Sequence, residues 1–258
     1  MKAIILAAGN GTRLSPYTNE IPKCLLDLGG VTILENQLNN IRKYGIDDVV
    51  IVIGNKSDKI EQFLRNYKGL GMRIKTIYNP FFKETNSLVS LWIARGEMDQ
   101  DLVVMNGDDV FEFDLLEKIL DAREHNISLP IQIKDKYYDE DMKIIIAENR
   151  ISEIGKSLTK TISGESVGIR VFRNMGVVLL KRALEEEIRT EGATGKWYVC
   201  VVQRLISKDC KVNALDIEDL FWMDVDYPRD LIKARHSLDN LLKKNASSEK
   251  ILNLSKTG

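Results

Sequence analysis

Short apolar runs alternate with stretches in which apolar residues recur every three or four positions, and this alternation extends over most of the chain. Residues 2–8 (Lys2-Ala3-Ile4-Ile5-Leu6-Ala7-Ala8) form an apolar run bounded by glycine, the pattern of a strand buried on both faces. Residues 31–44 place Ile33, Leu34, Leu38 and Ile41 at helical spacing, and Gly45 follows as a stop signal. A buried strand over 48–54, a helix over 57–67 and a strand over 73–78 come next. This succession predicts a mostly parallel sheet covered on both faces. Farther along, the pattern predicts a helix over 86–97, a buried strand over 102–105, an amphipathic helix over 114–125 and a strand over 128–134. A hairpin over 143–147 and 150–154, turning at Glu148-Asn149, breaks the parallel winding. A strand over 167–172, helices over 180–188 and 197–206, a strand over 211–217 and a helix from Pro228 to about residue 244 complete the series. The expected architecture is α/β, a three-layer α/β/α sandwich with a mixed, mainly parallel sheet. Residues 1–245 form one domain with a hairpin region inserted near 135–165, and the polar residues 246–258 form a tail, frayed or held by a partner.

In such sheets ligands collect beyond the carboxyl ends of the strands. The first strand ends in Gly9-Asn10-Gly11-Thr12-Arg13, and Pro22-Lys23 follows. Glycines let backbone N–H groups approach a polyphosphate, while Arg13 and Lys23 can neutralise it. Two familiar phosphate loops do not fit. Leu14 stands where the dinucleotide fingerprint has its third glycine, and no Gly-Lys-Ser/Thr follows. The strand over 102–105 runs into Asn106-Gly107-Asp108-Asp109. A carboxylate there faces the same crevice and can hold a hard divalent ion, which makes Asp108 the first metal ligand. Asp109 reads as a helix-start or solvated turn residue ahead of a ligand. Asp224 and Asp226, two apart on a strand, point to one side and can address one ion, although Asp226 can also cap the helix begun by Pro228. Asn86 suits an N-cap and equally exposes free N–H groups beside it.

Composition narrows the function classes. The chain has 258 residues, 44% hydrophobic and 29% charged, enough for a sizeable core. A net charge of -1 gives no electrostatic case for nucleic acid or a membrane surface. No apolar run reaches bilayer length and the first residues lack a signal-peptide layout, so the expected compartment is the cytoplasm. Cys24, Cys200 and Cys210 are odd in number and lack metal-ligand spacing, which argues against a disulfide framework or a zinc site. Cys24, beside Lys23, reads as buried filler ahead of a reactive thiol. The two histidines, His125 and His236, fall on helices remote in the chain from the glycine loop, so covalent histidine chemistry is not expected. Phosphoryl-group chemistry by positioning and charge remains.

The whole run from Gly9-Asn10-Gly11-Thr12-Arg13 through Ser15-Pro16-Tyr17 to Pro22-Lys23 resembles the signature loop of the nucleotidyltransferases that make nucleotide-activated sugars and phospho-alcohols. Asn86-Ser87-Leu88-Val89-Ser90-Leu91 is similar to an element of the phosphocholine cytidylyltransferase-like branch. Gly107-Asp108 and the later Trp222-Met223-Asp224-Val225-Asp226-Tyr227-Pro228 also resemble that superfamily. The likeness is closest to the compact cytidylyltransferases acting on phosphocholine, inositol 1-phosphate or phosphonates.

This resemblance implies a Rossmann-like nucleotidyltransferase fold and Mg²⁺-dependent transfer from an NTP, CTP favoured, to a phospho-alcohol, phosphonate or sugar 1-phosphate, with release of pyrophosphate. It assigns Arg13 and Lys23 to catalysis and to the nucleotide, together with Leu6, Ala8, Gly9, Gly11 and Thr12. Asn79, Asn86 and Asp108 are further implied nucleotide contacts. Ser90, Lys156, Glu165 and Gly168 are implied acceptor contacts. Asp108 and Asp226 are the implied metal ligands, with Asp224 a ligand or a residue bonded to one. Trp92, Tyr138, Trp197, Tyr198 and Trp222 could build a cation box of the choline-binding kind, yet the acidic residue that often follows the pair Trp197-Tyr198 is missing. Core packing is the expected role for most of them. Two other readings stand beside the first: uridylyl or thymidylyl transfer to a hexose 1-phosphate, and a non-catalytic nucleotide-sugar sensor. The sensor would not require Arg13, Lys23, Asp108 and Asp226 together. No nucleic-acid partner and no membrane span are expected, and self-association is left open.

Overall fold

Two apolar layers sandwich one sheet because neighbouring residues of its strands point to opposite faces. A computed structural model describes residues 1–69 and 71–255. Its strands, in chain order, are β1 (Lys2–Ala7), β2 (Asp48–Ile53), β3 (Arg73–Tyr78), β4 (Leu102–Asn106), β5 (Asp109–Phe111), β6 (Ile127–Gln132), β7 (Lys143–Ala147), β8 (Arg150–Gly155), β9 (Gly164–Ser166), β10 (Ile169–Phe172), β11 (Asn213–Asp216) and β12 (Trp222–Asp224). The α-helices are α1 (Ile33–Tyr44), α2 (Ser57–Asn66), α3 (Ser87–Ile93), α4 (Phe113–Asp121), α5 (Met175–Glu187), α6 (Val199–Ser207) and α7 (Pro228–Ser255). On β1, Ile4 packs with Leu88, Leu184 and Val201 of α3, α5 and α6. Its neighbour Ile5 packs on the other side with Leu38 of α1 and Ile119 of α4. The three-layer α/β/α architecture follows.

Strand β1 pairs in parallel with β2 on one side and β4 on the other, and β2 pairs in parallel with β3. The chain therefore winds outward from β1 in one direction and then returns to add β4 on its other edge. That reversal opens a crevice at the carboxyl ends of β1 and β4. Beyond β4 the sheet becomes mixed. β10 runs antiparallel to β4 and β6, β9 runs antiparallel to β6 and β7, and the β7–β8 hairpin extends the far edge. β11 joins β6 in parallel, and β5 pairs antiparallel with β12 as a separate two-stranded ribbon.

Local signals account for most boundaries. Thr32 caps α1 by accepting a hydrogen bond from the Glu35 N–H at 3.1 Å, and Gly45 ends it in the left-handed region. Several elements differ from the sequence expectation. The helix expected over 114–125 stops at Asp121, where the Arg173 guanidinium donates to the carbonyls of Leu120 and Ala122. The strand expected over 167–172 begins earlier and is split into β9 and β10, because its outer partner changes from β7 to β4. The helix expected from residue 180 begins at Met175, directly after the turn at Asn174. The helix expected over 86–97 is α-helical only to Ile93 and finishes in a 3-10 turn, Ala94–Glu97. The last helix continues to Ser255 where an end near residue 244 and a tail were expected, and residues 256–258 of that tail lie outside the described residues. Among the described residues no helix is long and apolar enough to cross a membrane.

Candidate active site

The crevice holds a cavity of about 350 Å³. One wall is the segment after β1. Gly11 adopts φ +66°, a conformation that suits glycine, and a Cβ there would press on Thr18 and Lys23. The backbone then enters a 3-10 turn, Thr12–Leu14, whose Leu14 is buried while Arg13 is left facing the cavity. Leu14 packs in a third apolar cluster with Val110, Val225 and Leu231, so the loop after β1 is pinned to the β5–β12 ribbon and to α7.

The opposite wall is the turn between β4 and β5. Gln37, buried on α1, donates through Nε2 to the carbonyls of Asn106 and Asp109, 2.8 Å each. This clamp holds the intervening Gly107-Asp108 in place. Antiparallel pairing of β12 with β5 sets Asp224 opposite Asp109, and the Val225 N–H donates to the Asp108 carbonyl at 3.1 Å. Asp226 thereby comes beside Asp108 although they are far apart in the chain.

Lys23 joins the two walls. Its Nζ lies 2.6 Å from Asp108 Oδ2 and 2.6 Å from Asp226 Oδ1, and Arg13 reaches Asp226 Oδ2 at 2.9 Å. Burial disfavours the lysine's charge, but the two carboxylates hold it above the ordinary lysine value. Burial likewise works against the Asp226 charge, yet Lys23 and Arg13 keep that carboxyl below the usual range. Asp224 stands exposed on the crevice wall, yet partial loss of water there, and then the charges of Asp108, Asp226 and Glu165, push its carboxyl up to about 7. Capping of the last helix falls to Asp230, whose carboxylate accepts from the N–H groups of Asp226 and Tyr227. The Asp226 carboxylate is thus free to face Lys23.

Asp108 and Asp226 already converge on one cation, the Lys23 ammonium. Their hard oxygen donors suit a divalent ion such as Mg²⁺. The site's chemistry therefore fits a metal, with Asp108 and Asp226 as the holding residues and Asp224 beside them.

Every residue named from the sequence for the nucleotide, the acceptor or the metal lines this cavity, from Leu6, Ala8 and Gly9 to Asp226. Placement refines several. Asn79 is buried and donates to Ser90 Oγ at 3.1 Å, locking the two together. Asn86 is the N-cap of α3, its side chain accepting from the Ser87 N–H, and it also faces the cavity. Glu165 is buried and ion-paired with Lys134; burial raises its pKa against the pull of that lysine. Lys156 stacks on Trp197, its Nζ 4.7 Å from the ring centroid.

Asp109 is neither a helix start nor a solvated turn residue. It opens β5 fully buried, Oδ1 accepts from Trp222 Nε1 at 3.0 Å, and burial together with Asp108 holds its carboxyl well above the ordinary aspartate value. Gly168 packs so closely on it that a Cβ would fall 1.9 Å from Asp109 Oδ2. Cys24 is buried filler, its thiol pushed up to about 12 by desolvation. Trp92 faces away, pairing with Glu185 and Arg95, and Tyr138 also lies off the cavity. Sequence reasoning missed Arg170, Ser166 and Glu140, which also line the cavity. Arg170 had a signal: it is a charged residue inside the otherwise apolar run Val167-Gly168-Ile169-Arg170-Val171-Phe172.

Fold and site together define an α/β protein with a charged crevice at the carboxyl ends of its central strands. The family is more particular: the family model for nucleotidyl transferases matches residues 2–143, and the chain belongs to that family. A bifunctional IPC transferase and DIPP synthase of Aquifex aeolicus is 29% identical over 238 residues, covering 92% of this chain and 51% of that protein. The chain thus spans about half the length of that relative. A choline-phosphate cytidylyltransferase of Haemophilus influenzae is 28% identical over 226 residues, covering 87% of this chain and 92% of that protein. Among solved structures, the inositol-1-phosphate CTP transferase from T. maritima matches with a TM-score of 0.76 at 20% identity, over 91% of this chain and 95% of that one, a likeness of fold.

Proposed function

We propose that the chain is a Mg²⁺-dependent nucleotidyltransferase of the cytoplasm, where nucleoside triphosphates are at hand, joining an NTP to a small phosphorylated acceptor with release of pyrophosphate. The observation that carries this reading is the convergence of Arg13, Lys23, Asp108 and Asp226 on one point at the switch of the sheet. A metal held by Asp108 and Asp226 would screen the charge of the phosphate oxygens. Arg13 and Lys23 turn from the carboxylates to the triphosphate, and Lys156, at the cavity's other side, orients the acceptor. An acceptor phosphate oxygen forms a bond to the α-phosphorus while the bond to the β-phosphate bridging oxygen breaks, its electron pair leaving with pyrophosphate. The attacking oxygen is already ionised near neutral pH, so the residues serve to align two anions and to stabilise charge in the transition state.

CTP is the favoured nucleotide, because the similar protein of Haemophilus influenzae is a choline-phosphate cytidylyltransferase. Among acceptors, a quaternary amine is disfavoured by the site itself. Lys156 already covers Trp197 and the Arg170 guanidinium lies against Tyr198, so two of the aromatic faces that would make a cation box already hold cations of the chain. A phospho-alcohol, phosphonate or sugar 1-phosphate fits better. Pyrophosphate release measured with each NTP, Mg²⁺ and a panel of such acceptors tests the reading. Turnover with CTP is expected. Turnover confined to UTP or dTTP with hexose 1-phosphates would overturn the choice of base, and none with any pair would leave a non-catalytic sensor.

A further inference from the structure

Strand β10 carries a buried cation that the chemistry above does not use. Arg170 is 3% exposed, lines the floor of the cavity and sits between the buried Ile169 and Val171. One Nη donates to the Tyr198 hydroxyl and the other to Ser166 Oγ at 2.9 Å, while Nε donates to nothing. Both partners are neutral. Among the described residues no carboxylate stands within ion-pair distance of the guanidinium. The nearby acids are engaged elsewhere: Glu165 with Lys134, Asp226 with Lys23 and Arg13, and Asp109, which feels the Arg170 charge through space without pairing to it, with Trp222. A buried cation with no ion-paired carboxylate is costly to a fold, and the planar guanidinium fork matches a carboxylate in two-point geometry.

Position separates this cation from the reacting centre. Gly168 is level with the end of β4, its carbonyl accepting from the Asn106 N–H at 3.1 Å. Arg170 lies two residues farther down the strand, on the same face, which is roughly 6–7 Å below that level at the usual strand rise. An acceptor phosphate at the Asp108–Asp226 level would leave Arg170 to meet a different part of the same molecule. Resting on the nucleotidyl-transfer reading, we propose that Arg170 sets the acceptor class: its guanidinium receives a carboxylate that the acceptor carries in addition to its phosphate or phosphonate.

Two pairs of probes isolate that carboxylate. O-phosphoserine is O-phosphoethanolamine with a carboxylate added, and 3-phosphoglycerate is glycerol 3-phosphate with a carboxylate in place of a hydroxymethyl group. The measurement is kcat/KM with CTP and Mg²⁺, alongside calorimetric binding of each probe to the CTP-loaded protein. The carboxylated member of at least one pair is expected to win by about tenfold or more, as charge-assisted two-point recognition gives. Arg170→Gln should erase that preference mainly through KM, leaving KM for CTP in place, and Arg170→Lys should restore part of it. Equal use and equal binding of both members in both pairs overturns the assignment without needing a variant. So does an Arg170→Gln loss that is the same for both members, the mark of a structural arginine. Absence of pyrophosphate release with every NTP would instead sink the nucleotidyl-transfer reading, and the calorimetric comparison would then still decide for or against Arg170.

Discussion

Replacing Lys23 with Met removes one ammonium from between two carboxylates and keeps the apolar stem. The lysine side chain is 15% exposed, and the Asp108 and Asp226 side chains are 27% and 18% exposed, so water screens the trio only in part. With each oxygen 2.6 Å from Nζ, the two carboxylate oxygens are at most about 5 Å apart. At an effective dielectric of about 20, their mutual repulsion without the lysine is roughly 3 kcal/mol. Breaking a buried ion pair by removing one partner typically costs about 3–5 kcal/mol, in agreement. At roughly 2–4 °C per kcal/mol for a chain of this size, Lys23→Met should melt on the order of 6–12 °C lower in EDTA.

The same substitution vacates the point a divalent ion would take. Mg²⁺ without nucleotide should therefore recover much of the lost melting temperature in Lys23→Met while leaving the wild type nearly unmoved, because binding to the native state alone raises stability by mass action. Thermal melts across a Mg²⁺ titration, in both proteins and without nucleotide, make the comparison. Equal Mg²⁺ stabilisation of wild type and variant, or an unshifted melt of the variant in EDTA, would refute the reasoning. Activity should drop about a hundred- to thousandfold, the usual loss when one charge-stabilising donor is removed.

Asp108→Asn should reduce turnover by about a hundredfold or more while the far-ultraviolet dichroism stays native; near-wild-type rates would remove Asp108 from the site's chemistry. Gly168→Ala should destabilise by about 1–3 kcal/mol, because the new Cβ meets the Asp109 carboxyl at 1.9 Å, and an unchanged urea midpoint would contradict that packing. Glu187, 5% exposed, pairs with Lys196 at 2.7 Å and with Arg204. Burial opposes its charge, but the two cations hold its pKa below the ordinary glutamate value. A depressed carboxylate stabilises the fold above its unfolded pKa of about 4.3 and ceases to do so as pH falls through the lower folded value. Glu187→Gln should thus lose about 1.5–3 kcal/mol at neutral pH and converge with wild type in acid, as pH-dependent urea denaturation would record.

The parallel half of the sheet was legible because its rules are local. Two-sided burial makes β1, β2 and β4 continuous apolar runs, and Thr32 and Gly45 mark the ends of α1 through hydrogen bonds within a few residues. The antiparallel half obeys longer-range constraints. The split between β9 and β10 arises from a change of neighbouring strand, and the end of α4 depends on Arg173, which reaches it from 51 and 53 residues away. Asp109 shows the same limit. Adjacent aspartates after a strand look alike in sequence, and only the pairing of β5 with β12, which delivers the Trp222 indole, sends one into the core and leaves the other on the cavity.

The site is assembled by contacts between residues far apart in the chain, which bears on how its two halves arise. Lys23 meets Asp108 across 85 positions and Asp226 across 203. The glycine loop alone is only a cradle; the late aspartate makes it half of a reaction centre, and that aspartate is held in place by the apolar cluster of Leu14, Val110, Val225 and Leu231. Nucleotide-side chemistry thus depends on one small cluster outside the main core. The proposed acceptor side is different: Ser166 ends β9, Gly168 links it to β10, Arg170 is on β10, and Tyr198, just ahead of α6, packs in the main core. Residues there can change with the acceptor only where the core tolerates it, and a buried arginine in that wall with no ion pair is accounted for by the proposed acceptor carboxylate.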